Sequence, residues 1–512
     1  LVPLPATLRA VRGFTSPRIA LTIRRPVRER GCLVEPITAW GMAVVQTVEH
    51  ELVLVAAVGI LLLGIEDLLF DAMWLARGRQ QPAASRRSLD RPARPGLLAV
   101  FVPAWDEGRV LPATLRHMLG RWRGEDVRIY VGCYPNDSTT LFAVSRLVAT
   151  HPALRLVIGD SDGPTSKADN LNRMWQALRE DERAAGQACL GVVLHDAEDL
   201  VQAEELALYR QHLGDAAMVQ IPVEPLLTRR TAAVTAHYAD EFAEAHAKEL
   251  PLRSALSAAL PAAGVGCAFS RAALMMLAQE RPDGPFSADS LTEDYEAGLI
   301  LGARGLRCRF VTAYARDGRR IATRSAFPAT LEAAVRQKGR WISGIAFAGW
   351  DRLDWAGARA GHRQPAIAKG LGTRLLVAWM LWRDRRAAVS ALVILAAYAA
   401  LVVAAVDVAA DRLGWWPGQP VAPGLRALLV LNALLLCWRL AMRAAFVASI
   451  YGWQQGLAAI PRAIVGNIIH MLAARRAFFH YMRQITRREL VWDKTDHGSE
   501  AAANGAARAA AR

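Results

Sequence analysis

The sequence predicts an α/β domain combined with membrane-associated helices, and three observations lead to this fold class. Between about residues 95 and 200, short apolar runs alternate with segments of helical length, which is typical of a parallel sheet covered by helices. Before and after the α/β region lie long segments with few or no charges. The 512-residue chain is also more apolar than most soluble proteins, since 53% of its residues are hydrophobic and 21% are charged.

Composition and charge exclude several classes of protein. The apolar content is too high for an intrinsically disordered chain, and the length is too great for a single small module. The chain carries 62 Lys+Arg against 47 Asp+Glu, a net charge of +15, which suits either nucleic acid or an anionic membrane face. Because the basic residues cluster at the ends of apolar segments, as the positive-inside rule expects, we expect a lipid bilayer and no nucleic acid as partner.

The N-terminal region combines a basic segment with a first membrane helix. Residues 1–40 are predicted to form a basic N-terminal extension, or to reflect a start site assigned upstream of Met42. Residues 41–78 are predicted to form transmembrane helix 1, because Leu52–Ile65 contains fourteen residues without a charge. Arginines follow directly at 77 and 79, which places this end of the helix in the cytoplasm.

The α/β domain is expected over residues 95–350. Four apolar runs read as strands and three intervening segments read as helices. In parallel sheets ligands bind beyond the carboxyl ends of the strands, so functional side chains are expected directly after them. The predicted strands are Leu97–Pro103, Val127–Cys133, Leu154–Ile158 and Gly191–His195, and the predicted helices are Arg109–Leu119, Ser138–Thr150 and Lys167–Glu180.

The C-terminal third returns to membrane-associated sequence. Ala387–Val406 contains twenty residues without a charge, enough to span a bilayer. Together with the first helix this gives three spans, with residues 78–386 in the cytoplasm. The predicted segments are a basic interfacial segment at 351–386, two transmembrane helices at 387–453, interfacial amphipathic helices at 454–490 and an Ala-rich tail at 491–512.

Two pairs of opposite charges lie near the inner ends of the predicted spans. Asp67 and Asp71 are one helical turn apart, and so are Arg439 and Arg443. Ionisable groups at membrane depth usually pair or line a path. We expect the two pairs to meet across the two helices; the alternative is independent placement at the cytoplasmic interface.

Several polar motifs follow the predicted strands. Asp196 and Glu198 are spaced i, i+2 at a strand end, where both carboxylates could reach one Mg²⁺ or Mn²⁺ together with substrate phosphates, or form an ordinary acidic turn. Asp137 suits either ligand binding or a helix N-cap. Lys167 opens a helix, which is unfavourable against the helix dipole unless an anion is bound there.

Two later motifs have the composition of a group-transfer site. Thr292-Glu293-Asp294 supplies a carboxylate that could act as a general base near a phosphate and metal site. Gln337-Lys338-Gly339-Arg340-Trp341 combines an arginine for phosphate with a tryptophan for a sugar face. Each motif alone is weak evidence for a group-transfer site, but the whole set in this order along the chain is much stronger evidence.

Taken together, these motifs resemble those of family 2 glycosyltransferases, over about residues 95–350. More narrowly, the chain resembles the membrane-bound, processive members, similar to cellulose and hyaluronan synthases, and above all the bacterial phage-adsorption protein B group, from about residue 50 to 490. The resemblance implies a GT-A, Rossmann-like cytoplasmic domain plus transmembrane and interfacial α-helices. The narrower resemblance is carried by Tyr134–Asp137, His195–Asp199, Ala263–Ser270 and Ile460–Asn467.

The resemblance also implies roles for individual residues. Asp196 and Glu198 would hold Mg²⁺ or Mn²⁺, and Asp294 would be the catalytic base. The synthases usually have Asp-x-Asp, and the extra methylene of Glu198 leaves the preferred metal open. The residues that would bind the nucleotide are Pro103, Glu107, Asp137, Lys167 and Asp196. The residues that would bind the acceptor and the diphosphate are Gln337, Arg340, Trp341, Gly264, Gly266, Cys267 and Glu293.

The implied function is inverting transfer of a sugar from a UDP-sugar to a growing exopolysaccharide at the bacterial inner membrane. The narrower resemblance suggests N-acetylmannosamine as the sugar, and an outer-membrane export or receptor partner. Two alternatives are transfer of one sugar to a polyprenyl phosphate lipid, and a non-catalytic envelope or phage-receptor scaffold. His195, although beside Asp196, is expected to be a structural histidine.

Overall fold

The computed structural model describes residues 34–78, 94–227, 231–353, 370–415 and 420–487. Most of the predicted N-terminal extension, the middle of the predicted segment 351–386 and the predicted tail lie outside the described residues. The chain divides into two compact units. The smaller unit contains the described residues up to Glu51 and from Val403 to Trp415, and the larger unit contains the rest.

The larger unit is built around a seven-stranded sheet with the order β3-β2-β1-β4-β7-β5-β8. The four strands predicted from the sequence are present and parallel, which confirms the α/β class. The later half is mixed, because β7 runs antiparallel between β4 and β5. A two-stranded sheet joins β6 and β9. The strands are β1 Leu98–Pro103, β2 Val127–Cys133, β3 Leu154–Ile158, β4 Gly191–Leu194, β5 Met218–Gln220, β6 Val223–Pro225, β7 Cys267–Ser270, β8 Cys308–Phe310 and β9 Thr323–Ser325.

Helices cover both faces of the sheet. The central strand β1 is fully buried from Leu98 to Val102, because its alternate side chains pack into separate apolar clusters on the two faces. A π-helical turn, Ala245–Glu249, joins α6 to α7, and a second, Ser343–Phe347, joins α10 to α11. The helices of this domain are α2 Leu111–Arg121, α3 Ser138–Val148, α4 Lys167–Ala185, α5 Glu205–His212, α6 Ala233–Glu244, α7 Leu250–Ala255, α8 Arg271–Ala278, α9 Glu293–Ala303, α10 Leu331–Ile342 and α11 Ala348–Arg352.

Among the described residues, four helices are long and apolar enough to cross a membrane. Three correspond to the predicted spans. The fourth, Trp453–Thr486, covers the segment that the sequence predicts to lie on the membrane surface, and its most apolar window has a mean hydropathy of 1.5 against 2.4 in the first helix. The remaining helices are α1 Val34–Gly78, α12 Leu371–Arg385, α13 Ala387–Arg412, α14 Pro423–Tyr451 and α15 Trp453–Arg487.

The acids of α1 are paired, in part as the sequence predicts. Asp67 forms an ion pair with Arg439 of α14, and a second one with Arg386, at 2.6 Å. Asp71 contacts Lys248 at 2.6 Å. Arg443 lies instead 3.4 Å from a carboxylate of α6. The predicted pairing between the two helices therefore holds for one of the two arginines.

The segment α6–α7 carries three acids that pair with arginines of three different C-terminal helices. Asp240 accepts from Arg462 of α15 at 2.6 Å. Glu244 lies 3.4 Å from an arginine of α14, and Glu249 lies 3.2 Å from Arg383 of α12. Asp240 and Arg462 are both buried. These contacts attach the α/β domain to the helices that follow it.

Candidate active site

A cavity of about 240 Å³ lies where β4, α4, α9 and α10 meet. Its walls come from segments far apart in the sequence, which the sheet topology brings together. Nine of the predicted site residues line it: Lys167, Asp196, Glu198, Gly264, Glu293, Asp294, Gln337, Arg340 and Trp341.

The carboxylates of Asp196 and Glu198 lie just beyond the carboxyl end of β4. Asp196 Oδ1 accepts a hydrogen bond from Lys167 Nζ at 2.5 Å. Burial, together with the charges of Asp196 and Asp199, raises the pKa of Glu198 well above its ordinary value. A cation would relieve this crowding of negative charge, so the donor set fits Mg²⁺ or Mn²⁺. Within the described ranges no group of three or more His, Cys, Asp or Glu side chains could hold a metal, so a bound ion would need further oxygens, such as those of a diphosphate.

The carboxylate of Asp199 stabilises the turn that follows β4 and carries Asp196. This carboxylate accepts from the backbone N–H of Asp196 at 3.0 Å and from the hydroxyl of Ser325. It also lies 3.0 Å from His195 Nδ1. His195 is fully buried, and its Nε2 is 3.5 Å from Glu205. These contacts give both residues a structural role in positioning Asp196.

The first turn of α9 brings two further carboxylates to the cavity. Burial raises the pKa of Asp294, against the opposing charge of Lys167. Burial and the adjacent Asp294 charge raise the pKa of Glu293 to about 7. The backbone N–H of Tyr295 donates to Asp294 Oδ1 at 2.7 Å. Both carboxylates also benefit from the helix N-terminus, which favours negative charge.

Gly264 allows the loop before β7 to approach Asp294. Its φ is +77°, and a Cβ at this position would lie 2.0 Å from Asp294 Oδ2 and 3.7 Å from Lys167 Nζ. Any other residue would therefore collide with the carboxylate and strain the backbone. The lysine and the carboxylate thus lie against the same glycine.

Helix α10 presents polar groups to the cavity. Gln337 Oε1 and Arg340 Nε are buried and have no hydrogen-bond partner in the part of the chain that the structure describes. The ring of Trp341 packs edge-on against Tyr238, with 6.1 Å between centroids. Lys338 Nζ is bound to Glu241 Oε1 of α6 at 2.5 Å. The unpaired Gln337 Oε1 and Arg340 Nε are therefore available to form hydrogen bonds with a ligand.

The predicted nucleotide residues Pro103, Glu107 and Asp137 lie outside the cavity lining. Pro103 is the last residue of β1, and Glu107 and Asp137 follow the carboxyl ends of β1 and β2. Asp137 caps α3 by accepting from the backbone N–H of Thr140 at 3.1 Å, as its alternative interpretation expects. Burial raises the pKa of Asp137, but hydrogen bonds from Thr140 and from the Asp106 backbone outweigh this and lower it. This group borders the same edge of the sheet as Asp196.

Neither Gly266 nor Cys267 lines the cavity, since Cys267 begins β7 and Gly266 directly precedes it. The backbone N–H of Gly266 donates to the carbonyl of Leu194 at 3.1 Å. Cys267 is fully buried in β7, and burial raises the pKa of its thiol well above the ordinary value. The structure adds lining residues that sequence reasoning missed, since no motif marks them: Ser166, Val223, Phe242, His246, Ser325 and Phe327.

Comparison with known proteins agrees with this geometry. Residues 95–344 match a family model described as glycosyltransferase like family 2. This domain belongs to glycosyltransferase family 2. The family match and the mixed sheet confirm the GT-A fold class.

Similarity to curated proteins extends beyond the family 2 domain. The chain is 34% identical over 464 residues to bacteriophage adsorption protein B of Escherichia coli (strain K12), and equally to bacteriophage N4 adsorption protein B of Escherichia coli O157:H7. Each alignment covers 85% of this chain and 60% of the relative. The chain therefore spans about three fifths of the length of these relatives, and the predicted resemblance to the phage-adsorption protein B group is confirmed.

Two solved structures with bound nucleotides are among those similar to this chain. One is a mannosyltransferase from Pyrobaculum calidifontis in complex with GDP-Man and Mn²⁺, with a TM-score of 0.44, 18% identity and coverage of 83% of this chain and 99% of that chain. The other is TarS 1–349 from S. aureus in complex with UDP, with a TM-score of 0.35, 11% identity and coverage of 78% and 94%.

Proposed function

We propose that this protein is a membrane-bound, inverting glycosyltransferase that transfers a sugar from a UDP-sugar to a growing exopolysaccharide. One observation supports this above all. A partly buried carboxylate suited to act as a base, Asp294, shares a cavity with Lys167 and with the carboxylate pair Asp196 and Glu198. A base, a cation and a pair of metal-binding carboxylates are what sugar transfer from a nucleotide diphosphate requires.

In this proposal the donor lies across the edge of the sheet. Pro103, Glu107 and Asp137 border the nucleoside, and Lys167 faces the diphosphate. Asp196 and Glu198 would hold Mg²⁺ or Mn²⁺, which neutralises charge on the departing UDP when it is bound. Before the donor arrives, the contact of Lys167 with Asp196 neutralises part of the negative charge of the carboxylate pair.

Transfer then proceeds in one displacement. Asp294 takes the proton of the acceptor hydroxyl as its oxygen bonds to the anomeric carbon, and the bond from that carbon to the UDP oxygen breaks with its electron pair leaving on UDP. The configuration at the anomeric carbon inverts. Gln337 and Arg340 would bind the acceptor end and the leaving diphosphate, with Glu293 and Trp341 beside them.

The cellular setting follows from the membrane helices and the relatives. We place the protein in the bacterial inner membrane with the catalytic domain in the cytoplasm, where UDP-sugars occur. The similarity to phage adsorption proteins suggests an outer-membrane export or receptor partner, and N-acetylmannosamine is the donor sugar to test first.

The test is UDP release by the full chain in detergent, measured over a panel of UDP-sugars with Mg²⁺, Mn²⁺ or EDTA. We expect release from one sugar, lost with EDTA and lowered about 10²–10⁴-fold by Asp294→Asn. Asp317→Asn, at an exposed turn, is the matched control and should retain activity. Product size on a gel distinguishes a polymer from a single sugar on a lipid.

Two results would contradict the proposal. Substantial turnover by Asp294→Asn would remove this residue as the base. No UDP release from any sugar, combined with no calorimetric binding of UDP and Mn²⁺, would favour the scaffold alternative.

A further inference from the structure

Two chemically different groups of side chains line the cavity. One group is charged and contains the residues assigned above to the donor, the metal and the base. The other group is aromatic and apolar, and its rings contact one another through Phe242, which lies 5.0 Å from Phe327 and 6.4 Å from Trp341 between centroids. His246 also lines the cavity beside this group, and the proposed mechanism gives it no role.

His246 is held firmly in one orientation. It lies in the π-helical turn between α6 and α7, a feature often found at functional sites. Its ring stacks on Phe242, with 5.1 Å between centroids and 20° between planes, and meets the edge of Phe310 at 5.7 Å. The backbone N–H of Val223 donates to His246 Nδ1 at 3.0 Å. The position of the second ring nitrogen is therefore determined by its surroundings.

The contact with Val223 also determines where the proton resides. Burial and the charge of Arg320 lower the pKa of His246 to about 3, so the ring is neutral at physiological pH. A neutral imidazole whose Nδ1 accepts a hydrogen bond carries its proton on Nε2. Since His246 lines the cavity, the N–H donor that its ring can offer there is neutral and lies on Nε2.

Two of the cations near the aromatic group are already engaged. Arg320 donates to the carbonyl of His246 at 2.7 Å and lies 3.8 Å from Glu224. Lys338 is bound to Glu241. Aromatic faces with one neutral donor suit a sugar ring, which presents C–H faces and hydroxyl groups. The two described cations that line the cavity, Lys167 and Arg340, are assigned above to the diphosphate. A phosphate acceptor at the aromatic group would therefore lose its hydration while competing with the diphosphate for their charge.

We propose that His246 is a specificity-determining residue of the acceptor site, where its Nε2–H donates a hydrogen bond to a hydroxyl or acetamido oxygen of an uncharged acceptor sugar. The sugar ring rests against Phe242 and Trp341. This inference rests on the proposed function, because it assigns the acceptor of the same reaction.

The test uses two substitutions that distinguish the roles of the two ring nitrogen atoms of His246. His246→Gln keeps an N–H donor near the position of Nε2. His246→Asn keeps an acceptor near Nδ1 for the Val223 amide but loses the donor. UDP release by the full chain, with its best donor, is measured against rising concentrations of N-acetylglucosamine, N-acetylmannosamine or cellobiose, with undecaprenyl phosphate as the anionic comparison.

We expect a neutral sugar to stimulate UDP release by the wild type. His246→Asn should raise the KM for that sugar about three- to tenfold, as expected for one lost hydrogen bond, with a smaller effect on the KM for the UDP-sugar. His246→Gln should restore most of the acceptor affinity.

Other outcomes overturn the inference. Equal acceptor KM values in the wild type and in His246→Asn, equal losses in both variants, or stimulation by undecaprenyl phosphate alone would each refute it while the proposed transferase activity stands. If the wild type releases no UDP from any donor, the proposed function fails first and this inference fails with it.

Discussion

Gly264→Ala places a methyl group against the proposed catalytic base. The added Cβ would lie 2.0 Å from Asp294 Oδ2, whereas real Cβ atoms essentially never come closer than 3.0 Å. The carboxylate, or the loop that carries residue 264, must therefore shift by about 1 Å. A misplacement of about 1 Å at a reacting group can lower the rate about 100-fold.

The same substitution has a separate effect on stability. Gly264 has a φ of +77°, and an L-residue in this left-handed region is destabilised by about 1–2 kcal/mol. We therefore expect kcat to fall about 100-fold, with a modest decrease in melting temperature and with UDP binding retained. Loss of kcat without loss of UDP binding distinguishes a displaced base from general unfolding.

The assay is UDP release at saturating donor and acceptor, with calorimetric UDP binding and thermal unfolding in the same detergent. Gly302→Ala is the matched control, because Gly302 lies on the same helix as Asp294 and a Cβ there would meet nothing within 4 Å. Alanine at that position should stabilise the helix slightly and preserve kcat. Wild-type kcat in Gly264→Ala would refute the assignment of Asp294.

Two further predictions concern charge. Because the proposed base Asp294 acts only when ionised, and burial raises its pKa, kcat should rise with pH at a midpoint above the ordinary pKa of an aspartate; a midpoint at or below that ordinary value would disprove the effect of burial. Among the paired acids of α1, Asp67→Arg should lower thermal stability in detergent, and adding Arg439→Asp should not restore it. The reason is that Arg383 also contacts Asp67, at 3.1 Å, and would then face a like charge; full rescue by the double variant would show that this contact contributes little.

Local sequence patterns predicted those parts of the molecule that depend on neighbouring residues. The four parallel strands were predictable because each is a short apolar run bounded by polar residues. Asp196 and Glu198 were placed correctly after β4, since parallel strands end at one edge. The antiparallel strand β7 was not predicted, because its partners β4 and β5 lie far away in the sequence.

The less predictable features depend on long-range contacts. Arg462 was assigned to a surface helix on the basis of charge, but it is buried against Asp240, more than two hundred residues away. Asp199 resembles a third metal ligand in sequence, yet its carboxylate is used by His195 and by the turn itself. His246 lies in no motif, and only the folded structure brings it to the cavity.

The acids of α6–α7 have a practical consequence for dissecting the protein. A fragment that ends after the α/β domain would leave the buried Asp240 without Arg462 and would remove the arginine partners of Glu244 and Glu249, of which Glu244 keeps its contact with Lys248. Burying charges without partners is strongly destabilising, and exposing them would uncover the apolar surface around them. The smallest fragment that folds by itself should therefore include the C-terminal helices as well as the α/β domain.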